Sequence, residues 1–147
     1  TGGSGGGVLT AWIVGKTNRF RAAVVAKPVI NWSSFVLTAD ISAMTTKYWF
    51  ADMPWNMPEH YWQRSPLSLV GNVTTPTMVI SGLEDYRTPT SEAEQYYKAL
   101  KLEGVPTALV TVPGASHTIA AKPSNLIQKI GNILGWFKKY EATSTSN

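Results

Sequence analysis

The sequence predicts an α/β fold in which a parallel sheet is flanked by helices. Three short runs of apolar and β-branched residues, at 21–26, 77–81 and 107–112, have the composition and length of buried strands. Segments with helical periodicity precede the first run and follow the other two. Strands that alternate with helices favour parallel pairing through right-handed crossovers. Because only three strands are expected, in a chain that begins within a turn, we predict the C-terminal half of a larger fold.

Glycine and proline mark where the helices begin and end. The first helix is expected to follow Ser4 and to stop at Gly15. The second covers about 91–102 and stops at Gly104, and the last covers about 123–140. Their expected apolar stripes are, in chain order, Val8, Leu9, Trp12 and Ile13; Ala93, Tyr96, Tyr97 and Leu100; and Ile127, Ile130, Ile133, Leu134 and Phe137.

The segment 29–69 differs from the rest because its aromatic residues alternate with prolines. Proline interrupts regular structure, so we predict short helices and loops that lie over another part of the molecule. One short helix is expected at 59–64.

Length and composition are those of a globular domain. The chain has 147 residues, of which 44% are hydrophobic and 15% charged, and we predict one domain at 1–141 with a polar, frayed tail at 142–147. No apolar run is long enough to span a membrane, and the net charge of +4 is dispersed, so neither a membrane nor a nucleic-acid partner is expected. With no cysteine and two histidines, the chain has no thiolate chemistry and cannot by itself form a three-histidine zinc site. We expect no metal or other cofactor. The composition does not choose a cellular compartment.

Ser4 lies at the centre of Gly-x-Ser-x-Gly within Gly2-Gly3-Ser4-Gly5-Gly6. This is the pattern of a nucleophile elbow, a sharp strand-to-helix turn that exposes a serine hydroxyl. Glycine is expected at positions 2 and 6 because a Cβ atom there would collide with a neighbouring strand or helix. A run of glycine and serine is also typical of a flexible linker, which is the alternative interpretation.

Two further residues follow predicted strands, at the edge where the functional groups of parallel sheets collect. Asp85 comes after the second predicted strand, and His117 comes after the third. The order Ser4, Asp85, His117 is that of the α/β hydrolases. In that arrangement the imidazole accepts the serine proton and the carboxylate holds the imidazole in the correct tautomer. Glu84 is the alternative carboxylate, and Asp85 is preferred for its shorter reach. We therefore predict a Ser-Asp-His triad in an α/β-hydrolase fold truncated at the nucleophile elbow.

Several separated motifs, in one order along the chain, resemble the catalytic domain of the prolyl oligopeptidase family of serine peptidases. The resemblance is greatest to its acylaminoacyl-peptidase and dipeptidyl-peptidase-like bacterial branch, and it covers about 1–140. The motifs are Gly2-Gly3-Ser4-x-Gly6-Gly7, Trp12-Ile13-Val14-Gly15, Ser65-Pro66, Gly82-x-x-Asp85-x-Arg87-x-Pro89 and Pro113-Gly114-x-x-His117.

The resemblance implies further site residues and a larger protein. Arg87 matches an arginine that holds a substrate carbonyl, with an ion pair to Asp85 or Glu84 as the alternative. Family members pair this domain with an N-terminal β-propeller that restricts access to short peptides. Gly5 stands where the family commonly has tyrosine or another larger residue. Its N–H is still expected to supply one oxyanion donor, while the second donor is expected from a segment upstream of Thr1.

The aromatic segment is the expected substrate pocket. We predict that Trp32 and Phe35 bind the substrate residue next to the scissile bond, with ordinary core packing as the alternative. Further candidates for the same pocket are Tyr48, Trp49 and Phe50. The second histidine, His60, is expected to be a surface or structural residue and not a catalytic one. No chemistry is assigned to Ser65, Ser81 and Ser116, which lack the elbow glycines.

Three hypotheses of function follow. In the first, the intact protein cleaves short peptides through an acyl-enzyme, and this fragment is weakly active or inactive alone. In the second, the same triad hydrolyses small esters, since a fold does not fix specificity. In the third, the chain is a non-catalytic fragment that self-associates through an uncovered sheet edge and apolar surface. The expected partners are a peptide substrate, the N-terminal half of the same fold, a β-propeller and a second copy in a homo-oligomer.

Overall fold

The computed structural model describes residues 1–141 and shows one four-stranded parallel sheet with helices on both faces. The predicted tail at 142–147 lies outside the described residues. The strands lie in the order β1-β2-β3-β4. They are β1 (Gly2–Gly3), β2 (Ala23–Ala26), β3 (Thr77–Gly82) and β4 (Thr107–Val112). The helices are α1 (Gly5–Lys16), α2 (Trp32–Thr38), α3 (Ser42–Tyr48), α4 (Pro58–Arg64), α5 (Thr90–Leu102) and α6 (Pro123–Lys139), with 3₁₀ turns at Pro66–Asn72 and Ile119–Ala121.

The prediction of an α/β fold with a parallel sheet is confirmed, but the strand count was wrong by one. β1 is a strand of two glycines that pair with Val25 and Ala26 of β2. Two glycines offer neither β-branched side chains nor an alternation of apolar and polar residues, which are the patterns that predict a strand. The sequence therefore carried no indication of β1. β2 is also shorter than expected, since it begins at Ala23 and leaves Arg21 outside.

Side chains that alternate along the strands pack into two separate cores. Val25 and Val79 point to one face of the sheet, where they pack with Tyr96 of α5 and residues of α1. Their neighbours Val24 and Ile80 belong to the core on the other face, which α6 covers. Because both faces are covered, β2 and β3 are buried along their whole length, as expected of parallel strands.

The apolar stripe expected for α1 was wrong, because its large side chains are not the buried ones. Leu9 and Ile13 are exposed, at 61% and 41%, whereas the buried face carries the small residues Gly7, Ala11 and Gly15 with Val14. Gly15 does not end the helix; a Cβ atom there would lie 2.6 Å from the Leu69 Cβ. Close packing, not helix termination, requires glycine at this position.

The stripe expected for α6 is only partly buried. Ile133 and Phe137 pack on the core with the buried Trp136. Ile127 and Leu134 are 73% and 63% exposed. The apolar stripe of α6 is therefore wider than the face of the helix that contacts the sheet. By contrast, α5 buries Ala93, Tyr96 and Leu100 as expected, and Gly104 follows it at φ 73°.

The segment between β2 and β3 forms a third core of its own. α2, α3 and α4 lie here, and the short helix expected at 59–64 is observed as α4. Phe50 stacks on Tyr61 with ring centroids 3.9 Å apart, and Phe35 is fully buried beside them. Val8 of α1 packs against this core from the elbow side. The aromatic segment is therefore a compact cap that contacts the beginning of α1.

A buried carboxylate anchors this cap to α5. Glu92 is inaccessible to solvent, and its Oε2 accepts the backbone N–H groups of Ile30 and Asn31, both at 2.8 Å. Its Oε1 accepts the hydroxyl of Ser34 and the amide of Gln95. These bonds offset the cost of burying a charged group and connect α5 to the start of α2.

Burial raises the pKa of the Glu92 carboxyl, although the hydrogen bonds it accepts oppose the shift. The folded protein therefore binds this proton more tightly than the unfolded chain. As a result, the contribution of Glu92 to the free energy of unfolding decreases as pH rises from about 4.5 through the folded-state pKa.

Glu92→Gln should remove this decrease. We measure the thermal midpoint of the variant minus that of wild type at each pH. This difference should increase as the pH is raised from mildly acidic to neutral. Glu94→Gln is the matched control on the same helix. Glu94 is exposed, and its Oε2 lies 3.7 Å from Nζ of the exposed Lys98. A constant difference between Glu92→Gln and wild type across this range would contradict the assignment.

Candidate active site

Ser4 occupies a tight turn between β1 and α1. Its φ of 57° and ψ of −119° are rare for a residue with a side chain, and its N–H donates to the Ala26 carbonyl at 3.1 Å. A Cβ atom at Gly2 would overlap the carbonyl oxygen of Gly6, so glycine is required on the strand side. The turn is part of the folded structure of residues 1–141 and not a flexible linker.

The prediction that a Cβ atom at position 6 would collide with a neighbouring element was wrong, and the collision occurs at position 7. A Cβ atom at Gly6 would have no atom within 4 Å outside its own helix backbone, whereas one at Gly7 would lie 2.5 Å from the Ala26 oxygen. α1 therefore crosses β2 most closely one residue later than the Gly-x-Ser-x-Gly pattern indicates.

The structure brings Ser4, Asp85 and His117 into hydrogen-bonding contact. His117 Nε2 lies 3.0 Å from Ser4 Oγ, and His117 Nδ1 lies 2.8 Å from Asp85 Oδ2. Each residue follows the carboxyl end of a strand, which places all three at one edge of the sheet. The Asp85 side chain is inaccessible to solvent, whereas that of His117 is 27% exposed. This chain of contacts can transfer a proton from the serine hydroxyl to the imidazole.

Four donors satisfy the buried Asp85 carboxylate. Oδ1 accepts the backbone N–H groups of Arg87 at 3.0 Å and Thr88 at 2.8 Å. Oδ2 accepts the Thr88 hydroxyl at 3.0 Å together with His117 Nδ1. Because the two backbone donors hold Oδ1, Oδ2 is the oxygen that faces the imidazole.

Gly5 begins α1, where backbone N–H groups have no partner within the helix. It lines a small cavity beside Ser4, of about 70 Å³. A Cβ atom added at Gly5 would meet nothing within 4 Å, so a larger residue would fit at this position. Gly5 therefore lies beside Ser4 in the first turn of α1, where its N–H has no acceptor within the helix.

Arg87 pairs with Asp40, not with the carboxylates considered from the sequence. Its Nε lies 2.7 Å from Asp40 Oδ1 and a terminal nitrogen lies 3.3 Å from Oδ2. Hydrogen bonding to Arg87 lowers the pKa of Asp40. The Asp40 N–H also donates to the Tyr86 carbonyl at 2.9 Å, so the loop after α2 is attached to the loop that carries Asp85.

Trp32 and Phe35 both line the cavity beside Ser4, and Arg87 lines it as well. Trp49 lies in the same wall, and Trp32 and Trp49 also border a larger apolar groove of about 530 Å³ that Phe50 lines. Tyr48 lines neither and is 68% exposed. His60 packs edge-on against Phe50, in keeping with its expected structural role.

Sequence reasoning missed three residues that contact this site: Thr88, Asp40 and Lys27. Thr88 lies in a recognised motif, but its hydroxyl contact with Asp85 depends on the turn geometry. Asp40 and Lys27 are 47 and 90 residues from the groups they contact, so no local pattern could have indicated either.

Across the described residues, no three or more histidine, aspartate or glutamate side chains gather as metal ligands would. Within 1–141, none of the helices combines the length and apolar character needed to cross a membrane.

Comparisons with known proteins agree on one family. The model of the prolyl oligopeptidase family matches residues 1–143. An uncharacterized peptidase of Bacillus subtilis, YuxL, is 41% identical over 142 residues, which are 95% of this chain and 22% of that protein. Acylamino-acid-releasing enzyme 1 of Oryza sativa is 35% identical over 95% of this chain and 19% of its own length.

The fold agrees with solved structures of the same kind. Pyrococcus horikoshii acylaminoacyl peptidase superimposes with a TM-score of 0.90 at 25% identity, over 99% of this chain and 24% of that one. This chain thus spans about a fifth of the length of the curated relatives it matches. The four-stranded parallel sheet is the α/β-hydrolase fold of these catalytic domains, and the chain belongs to the prolyl oligopeptidase family.

Proposed function

We propose that the whole protein is a serine peptidase in which Ser4, Asp85 and His117 form the catalytic triad. The observation that carries the proposal is His117, whose two ring nitrogens contact Ser4 Oγ and Asp85 Oδ2 at 3.0 and 2.8 Å. A serine hydroxyl is a weak nucleophile unless a base removes its proton, and the contact with His117 Nε2 supports its assignment as that base.

The proposed reaction has two steps. Ser4 Oγ attacks the peptide carbonyl while His117 Nε2 takes its proton, and His117 then protonates the leaving amine, which leaves an acyl-enzyme. Water, deprotonated by His117, hydrolyses the ester. Asp85 keeps Nδ1 protonated and stabilises the imidazolium that forms in each step.

Charge on the substrate oxygen needs two hydrogen-bond donors. The Gly5 N–H is the proposed first donor, since it begins α1 beside Ser4. We propose that the N-terminal half of the catalytic domain in the whole protein supplies the second. On that proposal the present segment alone is a poor catalyst.

We propose short peptides as substrates, with Arg87 binding a substrate carbonyl and Trp32 and Phe35 binding the side chain next to the scissile bond. Their place in the wall of the cavity beside Ser4 supports this assignment. Relatives named acylamino-acid-releasing enzymes and dipeptidyl peptidases support the peptide class. A β-propeller that restricts access to the site is a further proposal for the whole protein.

A fluorophosphonate probe tests the nucleophile. We expect labelling of the whole protein, with the adduct mapped by mass spectrometry to Ser4. An unlabelled whole protein, or an adduct on another serine, would contradict the triad. Labelling of residues 1–147 alone would show that the site assembles without a second oxyanion donor.

The alternative substrate class is small esters. We expect a peptide anilide to be turned over with a higher kcat/KM than a short acyl ester carrying the same apolar group. The reverse order would favour an esterase with the same triad.

Self-association of the isolated chain is a separate proposal. Exposed apolar side chains on α6, with Ile127 at 73% and Leu134 at 63%, favour it, as does the position of β4 at the sheet edge. Light scattering at micromolar concentration tests it, and a stable monomer would count against it.

A further inference from the structure

Lys27 connects the end of β2 to the loop that carries His117. Its Nζ donates a hydrogen bond to the His117 carbonyl oxygen at 2.7 Å, across 90 residues of sequence. An ammonium group bound to a carbonyl forms a charge-assisted hydrogen bond, which is stronger than a neutral one. The contact therefore holds the backbone of His117, whose side chain lies between Ser4 and Asp85.

Two further contacts fix Lys27, one through its backbone and one through the aliphatic part of its side chain. Its N–H donates to the Ile80 carbonyl of β3 at 2.6 Å. Its side-chain stem runs beside β1, because a Cβ atom at Gly3 would lie only 3.0 Å from Lys27 Cε. The Lys27 side chain therefore extends from the end of β2, past Gly3 of β1, to the loop that carries His117.

The backbone of Lys27 is strained. With φ at 41° it adopts the left-handed region, which asparagine and glycine occupy far more readily than lysine. Residues in such conformations persist where the surroundings hold them, and they cluster at functional sites. Within 1–141, Ser4 and Lys27 are the two residues other than glycine with positive φ, and each directly follows one of the paired strands β1 and β2.

We propose that Lys27 is a positioning residue for His117: its ammonium group holds the His117 carbonyl and so fixes the imidazole between Ser4 and Asp85. This inference rests on the proposed function of His117 as the base. Partial burial and the nearby Lys129 lower the pKa of Lys27, and Asp85 opposes that change. Lys27 does not touch the reacting atoms, so its effect on the reaction is through the orientation of the imidazole.

Asparagine at position 27 separates positioning from stability. Lys27→Asn suits the left-handed backbone but is too short to reach the His117 carbonyl. We expect the thermal midpoint of the whole protein to stay at or above that of wild type, while kcat falls about tenfold and KM changes less than twofold. A residue that only supported the fold would not lose kcat without losing stability.

Two further variants complete the test. Lys27→Arg retains a cationic donor and should recover most of kcat. The matched control is Lys101→Asn, an exposed lysine near the end of α5, and it should leave kcat unchanged. Wild-type kcat in Lys27→Asn, or an equal loss in Lys27→Arg, would overturn the proposal.

Hydrogen exchange supplies a readout that does not need turnover. Backbone amides at 115–118 should exchange several-fold faster in Lys27→Asn than in wild type or Lys27→Arg. Unchanged exchange would also overturn the proposal. If wild type itself failed to hydrolyse peptides, the proposed function would fail, and the exchange result would still decide whether Lys27 orders this loop.

Discussion

Ser4→Ala should lower the kcat/KM of the whole protein toward peptides by at least about 10⁴-fold. The variant loses the hydroxyl that His117 Nε2 contacts at 3.0 Å, and with it the nucleophile of the proposed acyl-enzyme. The measurement is hydrolysis of a chromogenic peptide at substrate concentrations below, near and above the KM of wild type. The KM of any residual activity should change little, because the serine takes part mainly in the chemical steps.

Ser116→Ala is the matched control for this experiment. Ser116 is an exposed serine adjacent to His117, and Thr118 stands where an elbow has its second glycine. The control should retain wild-type turnover. Peptidase activity that survived Ser4→Ala would refute covalent catalysis by Ser4.

Asp85→Asn should lower kcat by about 10⁴-fold while leaving the fold intact. The reason lies in the two backbone N–H groups, of Arg87 and Thr88, that donate to Oδ1. They require an acceptor at that position, so the amide oxygen of asparagine must occupy it. The amide nitrogen of asparagine then faces His117 Nδ1. Because an amide nitrogen can only donate a hydrogen bond, Nδ1 must be unprotonated to accept it. The imidazole is left with its proton on Nε2, where it cannot accept one from Ser4.

The measurement is kcat of Asp85→Asn as a function of pH, together with its thermal midpoint. Glu84→Gln is the matched control, because this exposed neighbour makes the same chemical change outside the triad. Comparable losses in the two variants would mean that general electrostatics, not the imidazole tautomer, accounts for the effect of Asp85.

The elements that sequence reasoning predicted are those whose signals are local. β3, β4 and α5 were recognised because apolar runs end at proline or glycine, and a parallel sheet then places Asp85 and His117 at one edge. β1 was missed because its two glycines carry no strand pattern. The buried face of α1 was misassigned because its close approaches to β2 and to the 3₁₀ turn at Pro66–Asn72 select small residues, which hydrophobic periodicity cannot detect.

The contacts between distant segments could not be predicted. Asp40 was not expected to pair with Arg87, nor Lys27 with the His117 carbonyl, since each pair depends on how separate loops meet above the sheet. The cavity wall was anticipated for Trp32 and Phe35 from their aromatic character, but Tyr48 has the same character and is exposed. Side-chain type alone does not distinguish a cavity wall from the surface.

The separate core of the aromatic cap has a consequence for which residues of this fold can vary independently. Phe35, Phe50 and Tyr61 pack with one another, while the sheet that carries Ser4, Asp85 and His117 has its own two cores. Substitutions inside the cap can therefore change the shape of the cavity without repacking the sheet. The residues of the proposed triad and those of the cap that line the cavity can vary under different constraints, with Glu92 and the Asp40–Arg87 pair among the contacts that connect the two regions. On the proposed function, substitutions in the cap alter substrate preference while Ser4, Asp85 and His117 stay unchanged.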